Sequence, residues 1–329
     1  MSLRSVVGHE HLKPRLARAA LRGSLPPSLI FAGPSGVGKR MTAVALAQLV
    51  NCLTPNVEDA CGECASCTRI ARRVHADVLL IEPGDTGSIK IEQIRDVVER
   101  SGYRPFEGRR RVVIIDEADR IVANAQDALL KTLEEPPSGT TFVLVTAMPE
   151  TLLPTIRSRC QRLRFGRLAP ADVAQVLIEA HGASEADAHA AAALSDGSIG
   201  RALEGASEEF AEARGAAVQL LEIVAADPGP SRRIQGAMGL PGAGRGKADR
   251  DALGQSLRAL ATILRDLGML SAGGRALANA DLERRLRPLT RAFHPDRILA
   301  AFAAVDRALD ALDRNASPKI VADWLAFQI

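Results

Sequence analysis

The sequence predicts an α/β domain built on a parallel sheet, followed by all-helical domains, and three observations carry that prediction. Short, β-branched and nearly continuous apolar runs alternate with amphipathic stretches over residues 1–165, the pattern of buried parallel strands joined by helices. Strand signals vanish after "RCQRLRFGRL". Aromatic residues make up only 3% of the chain, so the core is mostly Ala, Leu, Val and Ile, which favours helical packing and a small parallel sheet over an all-β fold.

Each element has its own signal. "SLIFAG" (28–33), "DVLLIEP" (77–83), "RRVVIIDEAD" (110–119) and "TTFVLVTA" (140–147) read as strands, and a further strand is expected beside Cys160. Between them "RMTAVALAQLV", "IEQIRDVVERS" and "NAQDALLKTLEE" carry helical spacing, the last stopped by Pro136 and Pro137. The βαβ alternation implies a doubly wound domain over 1–166 with its ligand at the carboxyl ends of the strands. "APADVAQVLIEAHG", "SEADAHAAAALSDG" and "SIGRALEGAS" read as three short helices and predict a small helical domain over 167–208. A long helix from about 209 to 226 opens a third, all-helical domain over 209–329. There Leu253, Leu257, Leu260, Leu264 and Leu267 line one helix face, and "DRILAAFAAVDRALDALD" and "PKIVADWLAFQI" behave alike. The Gly-, Pro- and Arg-rich stretch 227–249 reads as a loop or mobile segment. Its "GRGK" is no phosphate loop, because Pro241 stands five residues before Gly246.

Composition narrows the function classes. A net charge of +3 over 329 residues argues against coating nucleic acid by charge alone, and the scarcity of aromatics offers no stacking platform for a stand-alone DNA-binding module. The N-terminal stretch has scattered charges and no apolar signal region, and no run approaches a membrane span. A cytoplasmic protein without membrane contact is expected.

Four motifs carry chemistry. Gly33, Gly36, Gly38 and Lys39 lie in "GPSGVGK", after a strand and opening a helix. The glycines let backbone N–H groups close around a phosphate, and the lysine adds a point charge. Arg40 stands where such loops place Ser or Thr. It has no acceptor to offer the Mg²⁺ that bridges the phosphates, so efficient hydrolysis is disfavoured while weak ATP binding stays open. Asp116 and Glu117 end the third strand, where one carboxylate organises the metal and the next orients water. That pair argues for activity and Arg40 argues against it. Cys52, Cys61, Cys64 and Cys67, spaced x8, x2 and x2 on what reads as a loop, match a closed tetrahedral Zn²⁺ site with no open position for catalysis. Arg157 and Arg159 follow the last strand of the first domain, where an arginine can reach a neighbouring subunit's γ-phosphate, although solvated surface charge is the commoner role. Cys160 is expected to pack. His9, His11, His75, His181, His189 and His294 are dispersed and read as surface or helix-end residues rather than ligands.

Taken together, "GPSGVGK", the four-cysteine insert, "VVIIDEAD", "ALLKTLEEPP", "LVTAMPETLLPTIRSRC" and "GSIGRAL" resemble the subunits of the bacterial DNA polymerase III clamp loader, a pentameric AAA+ assembly. "LLKTLEEPP" with "SRC" is specific to that group. The resemblance runs in order from residue 5 to about 205 and is weaker beyond. It implies an AAA+ phosphate-loop domain with a zinc insert at 52–67, a helical lid and a helical collar. It makes Arg159, in Ser158-Arg159-Cys160, an arginine finger acting in trans, Thr146 the sensor-one residue and Arg201 the sensor-two arginine. Within the group the chain is most similar to delta-prime subunits, which partner gamma/tau and delta in a hetero-pentamer that opens the sliding clamp and places it on primed DNA. Arg40 and the end of the chain at 329, without a polymerase-binding extension, favour delta-prime. Lys39, Asp116 and Glu117 keep open the alternative of an ATP-hydrolysing gamma/tau-like motor.

Overall fold

The computed structural model describes residues 2–84, 86–205, 208–226, 229–244, 247–274, 277–314 and 316–329, and the chain divides into two compact units, Met1–Arg201 and Ala202–Ile329. In the first, β1 (Ser28–Ala32), β2 (Val78–Ile81), β3 (Arg111–Ile115), β4 (Thr140–Thr146) and β5 (Gln161–Arg164) form a parallel sheet in the order β2-β3-β4-β1-β5. Helices α1 (Lys13–Leu21), α2 (Lys39–Asn51), α3 (Ala65–Ala71), α4 (Ile91–Ser101), α5 (Ala123–Glu134) and α6 (Pro154–Arg159) accompany the strands, α7 (Pro170–His181) and α8 (Glu185–Leu194) follow them, and the unit boundary falls within α9 (Ile199–Gly205).

The apolar runs are continuous because both faces of the sheet are covered. Ile30, Val113, Ile115, Phe142 and Leu144 turn to one face and meet Ile94 and Val97 of α4 and Leu129 and Leu133 of α5. Their strand neighbours Leu29, Phe31, Val112, Ile114, Val143 and Val145 turn to the other and meet Leu16 of α1 and Leu46 and Val50 of α2. Each such side chain, removed from water, contributes roughly 2 kcal/mol. β5 is an edge strand whose Gln161, Arg162 and Arg164 are exposed, which is why its signal in the sequence is faint.

The second unit is helical among its described residues: α10 (Glu208–Ala225), α11 (Pro230–Met238), α12 (Lys247–Ser271), α13 (Glu283–Leu289), α14 (Pro295–Asp313) and α15 (Pro318–Gln328). The leucine face of α12 is fully buried, against Leu220 and Leu221 of α10 and Ala301 and Val305 of α14. The expectation of a loop over 227–249 is corrected by α11 and by the start of α12 at Lys247; residues 227, 228, 245 and 246, two of them in "GRGK", lie outside the described residues. Pro230 occupies the first turn of α11, where a missing N–H costs nothing. A Cβ on Gly236 would stand 3.1 Å from Leu220 and Ile223, so this glycine marks close helix packing rather than a turn.

One buried ion pair holds the connection from α4 to β3. Asp77, just before β2, is fully buried and accepts hydrogen bonds from the backbone N–H groups of Phe106, Glu107 and Gly108 at 2.7–2.8 Å. Arg111 Nη2 donates to its Oδ1 at 2.9 Å, while Arg111 Nη1 donates to the carbonyls of Tyr103, at 2.8 Å, and Arg100. Burial alone would raise the Asp77 pKa, but the backbone donors and the guanidinium outweigh it and bring it to about 2. Asp77→Ala, which leaves Arg111 buried without its counter-charge, is expected to cost about 3 kcal/mol in urea unfolding followed by circular dichroism. Because the folded pKa is depressed, this stabilisation is complete above the unfolded value of about 4 and is lost as pH falls through about 2. An unchanged urea midpoint for Asp77→Ala would refute this role.

Candidate functional site

The parallel sheet delivers three chain segments to one edge. Gly33–Gly38 joins β1 to α2, and Gly36 (φ +73°) and Gly38 (φ +92°) lie in the left-handed region open to glycine. A Cβ on Gly33 would stand 2.1 Å from the Phe165 carbonyl oxygen, and one on Gly36 would stand 2.2 Å from Ser198 Oγ. Gly200 N donates to Gly36 O at 3.4 Å, so the first turn of α9 rests on the loop. His9 Nε2 donates to Val37 O at 2.8 Å, with its ring edge-on to Phe165; burial holds its pKa below the ordinary value.

The six histidines were expected at the surface or at helix ends rather than as ligands, and two are buried instead. His9 and His75 are buried, the latter hydrogen-bonded to Ser66 Oγ at 3.1 Å and accepting from Asp77 N at 3.1 Å. Both bond to groups far away or locally refolded, which no spacing rule reveals.

Lys39 is 6% exposed, and its Nζ donates to the carbonyls of Gly33, at 2.6 Å, and Pro34, at 2.5 Å. Burial lowers its pKa, partly offset by Asp119 and Asp116. Arg40, in the first turn of α2, reaches across to the ends of two strands. Its Nη1 stands 2.5 Å from Glu82 Oε1, just past β2, and donates to Asp116 Oδ2 at 3.2 Å. Arg73 pairs with the other Glu82 oxygen at 3.1 Å. Thr42 Oγ1 donates to Gly38 O at 2.9 Å within its own helix and supplies no substitute hydroxyl at the site.

Glu117 has φ +47°, uncommon for a residue with a side chain, and its carboxylate pairs with Arg120 at 2.5 Å rather than with Lys39 or Arg40. Thr146, at the end of β4, donates to Asp119 Oδ1 at 2.7 Å, which also accepts from Ala147 N at 3.0 Å. Lys39, Arg40, Asp116 and, through Asp119, Thr146 are therefore gathered at one edge. Arg201 is apart from them: its side chain is 55% exposed and its ion partner is Asp196, at 3.7 Å.

Arg159 occupies a different place, at the last residue of α6. Nη2 stands 2.6 Å from Glu134 Oε1 of α5, and Nη1 donates to Thr155 O at 3.0 Å, leaving the side chain about one-third exposed at 34%. Arg157 pairs with Glu150. Cys160 is buried, and burial pushes its thiol up to about 12, away from nucleophilic reactivity.

The four clustered cysteines converge, with all Sγ atoms within 4.8 Å of one another. A tetrahedral Zn²⁺ with Zn–S near 2.3 Å sets sulfurs about 3.8 Å apart, and Cys52 and Cys61 Sγ are already at 3.5 Å. Cys52 caps the end of α2, Cys64 caps the start of α3, and Cys67 lies within α3, so two helix ends position ligands expected on a loop. Backbone N–H groups of Cys61 and Cys64 donate to the sulfurs of Cys52 and Cys61 at 3.3 Å. A hydrogen bond from Thr54, then backbone donors, lower the Cys61 pKa to about 6, whereas burial raises those of Cys52 and Cys67. The donor set fits zinc.

Glu82 and Glu134, which hold Arg40 and Arg159, were not anticipated. Glu82's one local mark is its place immediately after an apolar run; Glu134 lies within the "LLKTLEEPP" motif but its partner is distant in sequence.

The sheet order places β4 between the strand that feeds the phosphate loop and the strand that ends in Asp116. No helix among the described residues is long and apolar enough to cross a membrane. A family model described as "DNA polymerase III, delta subunit" matches residues 8–169. DNA polymerase III subunit tau of Bacillus subtilis is 38% identical over 163 residues, 50% of this chain and 29% of that protein. DNA polymerase III subunit delta' of the same organism is 36% identical over 220 residues, 65% of each chain. The chain thus spans less than a third of the tau relative and about two-thirds of the delta' relative, and identity does not separate them. A solved DNA polymerase III gamma subunit-related protein of Thermotoga maritima shares the fold over 95% of this chain and 97% of its own, at 17% identity and a TM-score of 0.51. With its phosphate loop, its carboxylate-ended strand and these relatives, the chain belongs to the AAA+ family of DNA polymerase III clamp-loader subunits.

Proposed function

We propose that this chain is a delta-prime-type subunit, which presents Arg159 to ATP held by a neighbouring gamma/tau subunit and hydrolyses little itself. The observation that carries this reading is Arg40, whose guanidinium pairs with Asp116 and Glu82, the side of the site where a hydrolysing loop assembles its metal. Glu117, turned to Arg120, is likewise not aimed at an attacking water. Arg159 is fixed by Glu134 and by the end of α6, yet keeps solvent access, as a residue that must reach another subunit's phosphate requires.

The remaining assignments follow from the same reading. The helices over 167–208 serve as the lid, with Arg201 as its sensor arginine, and 209–329 serves as the collar of a pentamer with gamma/tau and delta. Thr146 reports on the site through Asp119. The assembly's clamp and primed DNA are this chain's partners through the complex. Cys52, Cys61, Cys64 and Cys67 hold a zinc ion that ties the end of α2 to α3 and has no catalytic task, because protein thiolates fill all four positions. The similar identity to tau supports a second reading, a motor subunit that tolerates Arg40.

The two readings part in reconstituted complexes. Arg159→Ala is expected to lower DNA-stimulated ATP hydrolysis by about tenfold or more with assembly intact; an unchanged rate would eliminate the trans role. Turnover by the isolated chain that Lys39→Ala abolishes would establish the motor reading instead. Metal analysis of the purified chain is expected to find about one zinc per molecule, and stripping it with a chelator should lower the thermal midpoint; a metal-free protein with the same midpoint would remove the zinc assignment.

A further inference from the structure

Mg²⁺ demands about six oxygen ligands at roughly 2.0–2.1 Å in near-octahedral geometry and gives up water reluctantly. The donors expected to receive it in this phosphate loop do not fit. The residue after Lys39 is Arg40, which has no acceptor. Asp116 Oδ2 already accepts from Arg40 Nη1 at 3.2 Å, and that nitrogen is 2.5 Å from Glu82 Oε1. The nearest hydroxyl of α2, on Thr42, is committed to Gly38 O. A divalent ion on Asp116 would have to share that carboxylate with a guanidinium in contact with it.

We propose that the Arg40 guanidinium is a tethered cation standing where Mg²⁺ would, and that the Gly33–Lys39 loop binds a nucleoside di- or triphosphate without any divalent ion. Arginine keeps its charge at all relevant pH values and presents a planar fork of N–H donors suited to phosphate oxygens. Arg40 Nη2 has no hydrogen-bond acceptor and is shielded from solvent, so it donates to a phosphate once the guanidinium turns toward the loop. Glu82 is shared with Arg73, so Arg40 and Arg73 together meet two carboxylates, Glu82 and Asp116. The N-terminus of α2 begins at Gly38 without a side-chain cap, so its backbone N–H groups are open to an anion. Lys39 lies over the same loop on the Gly33 and Pro34 carbonyls. A guanidinium anchored to Glu82 and Asp116 neutralises phosphate charge but cannot bridge phosphates as a metal does, so the nucleotide stays intact as a structural ligand. This inference concerns the chain's own loop and does not depend on the trans role of Arg159.

Isothermal titration calorimetry of the full chain with ADP and with ATP, in excess EDTA and in excess Mg²⁺, tests it. The dissociation constants in the two buffers are expected to differ by less than about fivefold. Arg40→Thr, which removes the guanidinium and restores a hydroxyl, should weaken binding in EDTA by about tenfold or more and regain it with Mg²⁺. Mn²⁺ electron paramagnetic resonance should show bound ion with nucleotide in Arg40→Thr and none in the unaltered chain. A larger Mg²⁺ dependence in the unaltered chain, or no binding heat with either nucleotide at millimolar concentration, overturns the proposal. Both overturning results come from the unaltered chain, so the folding of the variant does not enter them, and neither bears on hydrolysis by the assembled complex.

Discussion

Everything at the site depends on the register of three parallel strands. Ala32 of β1 pairs with Thr146 of β4, and Ile115 of β3 pairs with Leu144, so the phosphate loop, Asp116 and Thr146 leave the sheet at neighbouring points. The ladder continues past the strand ends: Gly33 N donates to Thr146 O, Asp116 N to Ile81 O and Phe165 N to Ala32 O. These bonds hold the first residue of each functional segment to backbone rather than to side chains. Because side chains alternate in strands, a slip by one residue would carry Ile30, Val113 and Phe142 from one apolar layer to the other. The burial of both faces therefore also fixes the geometry at the carboxyl edge.

Two guanidinium–carboxylate contacts in this unit have different consequences. Arg111 and Asp77 are both buried, and apart from Arg111 Nε, which has no acceptor, their polar atoms meet each other and backbone partners, so their contact locks a loop in one conformation. Arg40 is one-third exposed and its partner Glu82 slightly more so, while Asp116 is largely buried. Water screens that contact and weakens it, which leaves the guanidinium able to serve an incoming anion. Burial, rather than residue type, separates a structural pair from an adjustable one.

What could be read in the sequence was what depends on local pattern. β1 to β4 follow from continuous β-branched runs, and the buried face of α12 from leucines at helical spacing. The cysteine cluster follows from its spacing, and the structure brings its sulfurs together. Features set by distant contacts were not legible. Gly236 resembles a breaker until Leu220 and Ile223 are placed against it, which is how α11 was missed. β5 was expected beside Cys160, but its signal is faint because an edge strand is polar. Arg40 was singled out for what it lacks, but its pairing with Glu82 depends on β2 and α2 meeting in space. The motif that singles out Arg201 does not reveal its ion partner Asp196 either.

The phosphate-loop glycines alone do not identify an ATPase, and the packing explains why. A side chain on Gly33 would drive its Cβ into the Phe165 carbonyl, and one on Gly36 would strike Ser198 and the backbone of Gly200. The Val37 carbonyl is also needed to satisfy His9, buried beside Phe165. These demands arise from joining β1 to α2 beneath β5 and α9, and they hold whether or not nucleotide is turned over. Lys39 is constrained in a similar way, its ammonium buried and satisfied by two loop carbonyls. Arg40 is not required by any of those contacts, since its head lies beyond the loop on the carboxylates. Its identity is free to vary with function, and for that reason it distinguishes a hydrolysing site from one that only holds its ligand more sharply than the rest of the motif does.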